Sequence, residues 1–214
     1  MKRILFTVCF FALFFSCNSD DDNRNATDPE AGFYALTVGN SWVYKNFKYN
    51  SNTMEYDDTG ILDEVSIVGT EILDGETYFK FKTVTTGNDT GVSYFNANGE
   101  KLELRREFSG NLINETGDII YTNTNYNERL VSENSWGNIY NKLTGNIEIV
   151  IVVAGSFPCL DMESYAKSPD NTETFPGLDH FYYSDGIGLI SDTTSFVSQG
   201  FPVGIRRLDS YIIN

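Results

Sequence analysis

Thr70-Glu71-Ile72-Leu73-Asp74-Gly75-Glu76-Thr77-Tyr78-Phe79-Lys80-Phe81-Lys82-Thr83 is the stretch that decides the fold. Phe79 and Phe81 alternate with Lys80 and Lys82, so an extended chain has one apolar and one charged face, the pattern of a half-buried antiparallel strand. A helix would scatter these four residues around its circumference. Asp74-Gly75 separates the run from Ile72-Leu73. A type I′ turn needs positive φ at both central residues, which Asp and Gly tolerate, so a two-residue hairpin is predicted here.

The same period extends outward. Asn98-Gly99, between Val92-Ser93-Tyr94-Phe95 and Lys101-Leu102-Glu103-Leu104-Arg105, predicts a second hairpin. Ile147-Glu148-Ile149-Val150-Ile151-Val152-Val153 is apolar on both faces after its one Glu, which predicts a central strand covered on two sides. Ile205 to Ile213 shifts its apolar face near Arg206-Arg207, as a bulge would make it do. Only Asn127 to Leu143, with Leu130, Trp136, Tyr140 and Leu143 in helical register, predicts a short helix. Aromatic residues make up 14% of the chain, and such rings favour strands. The expectation is one all-β antiparallel domain over 32–214.

Charge and the N-terminal stretch bear on location. A net charge of -15 repels phosphate backbones and argues against a nucleic-acid partner. Lys2-Arg3 followed by the uncharged run Ile4 to Phe15 reads as an export signal over 1–16. Leu13-Phe14-Phe15-Ser16-Cys17 resembles the lipobox of bacterial lipoproteins, with Phe14 where Leu is usual, and implies a diacylglycerol on Cys17. Ser19, Asp20, Asp21 and Asp22 just beyond it resemble the acidic signal that sends lipoproteins of Bacteroidota-type bacteria to the outer face of the outer membrane. The expected organisation is a signal at 1–16, a lipidated cysteine and acidic tether at 17–31, and the folded domain at 32–214. Cys9 leaves with the signal and Cys17 carries lipid, so Cys159 stands alone, without a disulfide and packed as a small hydrophobe.

Three motifs inside the domain carry a family resemblance. Gly39-Asn40-Ser41-Trp42-Val43-Tyr44 resembles the Gly-Asn-x-Trp-x-Tyr opening of small bacterial surface or periplasmic lipoproteins. Val152-Val153-Ala154-Gly155-Ser156-Phe157 with Cys159, and Tyr182-Tyr183-Ser184-Asp185-Gly186-Ile187-Gly188-Leu189-Ile190, are similar to two later strands of that group, with Ile187 and Ile190 where Val is usual. The resemblance implies a single strongly curved antiparallel sheet or open barrel, like that of lipoprotein carriers, and brings no activity with it.

The residues themselves offer little catalysis. His180 is the one histidine; a triad would need a nucleophile set against it, and zinc normally takes further His or Cys ligands, so catalytic residues, cofactor and metal site are all expected to be absent. Thirty acidic residues offer no distinguishable glycosidase pair. Gly186 and Gly188, flanking Ile187 on a strand, are read as permitting a bulge or a close backbone crossing. Two functions stay open. One is a binding module for an apolar or glycan ligand, with Tyr34, Trp42, Tyr44, Tyr182 and Tyr183 as candidate stacking rings. The other is an accessory subunit docked on an outer-membrane complex. An apolar cavity favours the first, and an exposed apolar patch over a filled interior the second.

Overall fold

The computed structural model describes residues 32–214. The signal, Cys17 and the acidic residues Ser19, Asp20, Asp21 and Asp22 lie outside the described residues. Within them the chain runs β1 (Ser41–Asn50), β2 (Glu55–Leu73), β3 (Glu76–Thr86), β4 (Gly99–Phe108), β5 (Asn111–Asn114) and β6 (Ile119–Thr122). It continues through β7 (Arg129–Asn134), β8 (Gly137–Val152), β9 (Gly155–Lys167), β10 (Thr174–Ser184), β11 (Gly188–Thr194) and β12 (Gly204–Ile212). All twelve form one antiparallel sheet in the order β6-β5-β4-β3-β2-β1-β12-β11-β10-β9-β8-β7. Two up-and-down meanders are therefore stitched together by the single long-range ladder between β1 and β12.

The sheet curls without closing. β6 and β7 are its two ends, and no ladder joins them. Side chains bridge the seam instead: the Tyr121 hydroxyl of β6 donates to Leu160 O of β9 at 2.8 Å, and an Arg129 guanidinium N–H of β7 to Ile119 O of β6 at 2.9 Å. Behind them Tyr34, Leu112 and Tyr121 pack on Leu143, Met162 and Tyr183 as one core cluster. A second cluster joins Trp42, Tyr44, Ile67 and Phe81 to Phe157, Cys159, Ile190 and Leu208, where the tip of the β8–β9 hairpin folds back so that Ala154 N–H reaches Leu208 O at 3.4 Å.

The leading hairpin forms as its sequence predicts. Leu73 pairs with Glu76, and Asp74 and Gly75 have φ of 53° and 83°, both positive as a type I′ turn requires. Phe81 is buried, while Lys80 and Lys82 pair with Glu71 and Glu100 at 2.8 and 2.6 Å. The bulge predicted near the arginine pair falls at Asp209, which the register skips as Val43 faces Ser210 and Tyr44 faces Leu208.

Four sequence expectations are corrected. Asn127 to Leu143 holds no helix; it is β7, a turn at Ser135-Trp136, and the start of β8, because Gly137 and the asparagines weaken a helix while a strand partner is at hand. Asn98-Gly99 is no hairpin turn. Val92 to Phe95 forms a loop, and Asn98 caps it by accepting Asn88 N–H at 2.8 Å and donating to Asp89 at 2.8 Å. Ile147 to Val153 is not central: past Asn141, β8 has a ladder only with β9, and Ile147, Ile149, Ile151 and Val153 are 63–78% exposed. Gly186 and Ile187 lie in the β10–β11 turn rather than on a strand.

Candidate functional site

In the hollow of the curl, aromatic faces and charged groups meet. β1 supplies Trp42 and Tyr44, two residues apart and hence on one face. Trp42 Nε1–H donates to Ile187 O at 2.7 Å, and the Tyr44 hydroxyl to Leu189 O at 2.9 Å, so both rings are pinned to the β10–β11 turn and its following strand. Gly188, at φ 94°, holds a backbone conformation that L side chains rarely adopt, and it sits beside the Trp42 ring, which a Cβ there would meet at an ordinary 3.8 Å. Phe81 of β3 stacks on Trp42 with ring centroids 6.2 Å apart and planes 12° from parallel.

Two adjoining hollows, of about 210 and 140 Å³, share Asn96 and Arg206 as walls. Together they reach the lower end of ordinary ligand pockets, about 300–1,000 Å³. The larger is walled by Trp42, Tyr44 and Phe81 on one side and by Lys101, Glu103 and Arg105 on the other. The smaller is polar, between Asn46, Asp63 and Asp192.

The charges are arranged in pairs. Arg206 donates through Nε and a terminal nitrogen to Asp192 at 2.9 and 2.7 Å and stands 3.6 Å from Asp63, its guanidinium 5.0 Å from the Tyr44 ring centroid. Asp63, 1% exposed, accepts from Asn46 and Asn96 at 3.1 Å each and from the Thr85 hydroxyl. Burial pushes its pKa up, but Arg206 and these donors outweigh burial and hold the carboxyl below its ordinary value. Glu103 accepts from Lys101 and Arg105 at 3.0 Å each, and Arg105 lies 4.6 Å over the Phe81 ring. Burial likewise raises Glu103, and Arg105 and Lys101 bring it below the usual carboxylate range. Arg105 Nε is buried without an acceptor among the described residues.

Of the five candidate rings, Tyr34, Trp42, Tyr44 and Tyr183 wall the larger hollow, all 3–7% exposed. The Tyr34 and Tyr44 hydroxyls are spent on Gly110 O at 2.6 Å and Leu189 O at 2.9 Å, so these two rings present carbon to the hollow. Tyr182 goes elsewhere. The register sets it opposite Asp161, on the face that carries His180, and its ring stacks on the imidazole at 5.5 Å. Cys159 is fully buried, and burial pushes its thiol up to about 12, the state of an inert packing residue.

Sequence reasoning missed Asp63, Glu103, Arg105, Asp192 and Arg206, which come from β2, β4, β11 and β12. A faint signal was present: Glu103 and Arg105 are two apart on a predicted strand. The Gly-Asn motif has a structural role. Asn40, fully buried, donates to Ala35 O at 2.8 Å and accepts Asn214 N–H at 2.9 Å, tying the turn before β1 to the residues after β12.

No protein-family model matches the chain, and neither does any curated protein. Among solved structures it is similar to one described as an exported protein with a YmcC-like fold from Bacteroides fragilis, with a TM-score of 0.52 and 11% identity over 85% of this chain and 99% of that one. It is also similar to a lipoprotein from Parabacteroides distasonis, with a TM-score of 0.46 and 16% identity over 85% and 98% of the two chains. The first likeness is one of fold, and agrees with the open, curled, all-antiparallel sheet.

Proposed function

We propose that this chain is an exported, lipid-anchored protein of the outer membrane, facing outward, whose curled sheet is a non-enzymatic module holding a small glycan-like ligand. The observation that carries the binding reading is the hollow between the Trp42–Phe81 stack and the Lys101–Glu103–Arg105 row. An apolar ligand would cover these charges and Asn96 with hydrocarbon and desolvate them without recompense. A sugar suits both walls, since its C–H faces lie on aromatic rings while its hydroxyls meet fixed donors and acceptors. The absence of catalysis is part of the proposal: the charged groups here are locked in mutual pairs, and His180 lies on the other face of β10.

Tryptophan fluorescence tests it. Trp136 at the β7–β8 turn is 45% exposed, so Trp136→Phe leaves Trp42 as sole reporter. Saturable quenching by an oligosaccharide, weakened at least tenfold in a Glu103→Gln, Lys101→Ala double variant, is the expected result. Quenching by apolar probes alone, or none across a saccharide panel, overturns the glycan reading. For the anchor, Cys17→Ala should release the protein from the membrane fraction, and replacing Asp20, Asp21 and Asp22 with Ala should remove it from the reach of protease added to intact cells.

One observation favours the accessory-subunit reading. The outer half of β8 is an open edge, and its exposed row Ile147, Ile149 and Ile151 would suit a partner strand. Ile149→Lys with Ile151→Lys should then abolish co-purification of a membrane partner while leaving saccharide binding intact.

A further inference from the structure

On the face of β9–β10 that also carries Cys159, the register sets Glu163 directly across from His180 and Asp161 across from Tyr182, so both carboxylates flank the imidazole. One ligand atom from each of Asp161, Glu163 and His180 lies within 4.8 Å of the other two. We infer that these three side chains form a site for a first-row divalent cation of the Mn²⁺ to Zn²⁺ series.

Three observations support this. Asp161 is 1% exposed, yet only one of its oxygens is satisfied: Oδ2 lies 2.8 Å from His180 Nδ1, while Oδ1 is buried with no donor among the described residues. Such an orphaned acceptor is costly unless something positive meets it. The charge count is also unbalanced, since neither Asp161 nor Glu163 has an ion pair with Lys or Arg among the described residues, and Glu148 of β8 lies close enough to act on His180 as well. The cation nearest by register is Lys142, which faces Glu163 across the β8–β9 ladder. Finally, the imidazole is already oriented, its ring 5° from parallel to Tyr182 and its backbone N–H donating to Thr193 Oγ1 at 2.8 Å.

Two carboxylates and one imidazole, completed by water, are a mixed N/O donor set suited to Zn²⁺ or Mn²⁺ rather than to the all-oxygen preference of Ca²⁺. In the ion-free protein a proton on Nδ1 bridges to Asp161 Oδ2. The cation takes the place of that proton: Nδ1 and a carboxylate oxygen become ligands, and the proton moves to Nε2 or, from the doubly protonated ring, leaves to solvent. This site is separate from the ligand-binding hollow and does not depend on that reading.

Because His180 is the chain's one histidine, its ring resonances report on this site alone. The untagged chain, purified from membranes, chelator-stripped and carrying ¹⁵N-histidine, is titrated with ZnCl₂ and separately with MnCl₂. One equivalent of Zn²⁺ should move the Nδ1 resonance of His180, Mn²⁺ should broaden it, and calorimetry should give a stoichiometry of one. Asp161→Asn and His180→Gln should each weaken that binding at least tenfold. Unmoved histidine resonances at tenfold excess overturn the assignment, as does binding that both folded variants retain in full. Should either variant fail to fold, the wild-type spectra still decide.

Discussion

Asp63 has almost no solvent and yet stays charged, and that makes it a pH-sensitive point of the interior. Its carboxyl is held below its ordinary value in the fold, whereas in the unfolded chain it titrates near 3.9. A depressed folded value means stabilisation that is fully present above about pH 4 and is lost as the pH falls through the folded pKa. Asp63→Asn removes a charged acceptor at neutral pH, at a cost of about 1.5–3 kcal/mol. The variant's thermal midpoint should therefore lie below wild type at pH 7 and draw closer to it near pH 2.5; parallel curves would contradict the pairing. The two tryptophans make a second test. Trp42, 3% exposed in the core cluster it shares with Tyr44 and Phe81, should lose about 3–5 kcal/mol on truncation to Ala, whereas Trp136→Ala should stay within about 0.5 kcal/mol in urea unfolding. Trp42 and Tyr44 were legible as candidate rings of one site because they stand two apart in one motif. The Arg206–Asp192–Asp63 set was not, because Asp192 meets Arg206 as its partner across the β11–β12 ladder and Asp63 lies two strands away on β2, neighbours that only the assembled sheet order supplies.

At the scale of elements, the hairpins show where local rules suffice. Asp74-Gly75 turns because both residues take positive φ and nothing else competes for that segment. Gly75→Val places a β-branched side chain at φ 83° and should cost more than about 1 kcal/mol by denaturant midpoint. Asn98-Gly99 carries an equally good local signal that is overridden: Asn88 collects Val92 O and Asn96 O with its amide, and Asn96 is drawn to Asp63, so the segment before Asn98 serves as a lid on the smaller hollow and not as a strand. Asn98→Ala should therefore loosen that loop, seen as faster amide exchange at Asn88, without breaking the β3–β4 ladder. The misplaced strand at Ile147 to Val153 has a related cause. Composition reports how apolar a run is, but an edge strand whose tip folds over a core is apolar as well.

For the whole molecule, fold class was readable because strand period and turn signals recur along its length. The open seam was legible only through the family resemblance, since strand period does not say whether the two end strands of a sheet will pair. The strand order has a consequence for how the chain can be divided. Strands β1 to β6 and β7 to β12 are each contiguous in sequence, and they meet through the β1–β12 ladder and the shared cores, while the covalent connection crosses at 123–128. Cutting there breaks no ladder. The protein should thus work as two polypeptides: co-expressed halves divided between Tyr126 and Asn127 should co-purify one to one and regain the β spectrum of the intact chain, while each half alone, with half of every core, should remain unfolded. Recovery of either half as a stable monomer would mean that the ladder joins two finished domains rather than completing one.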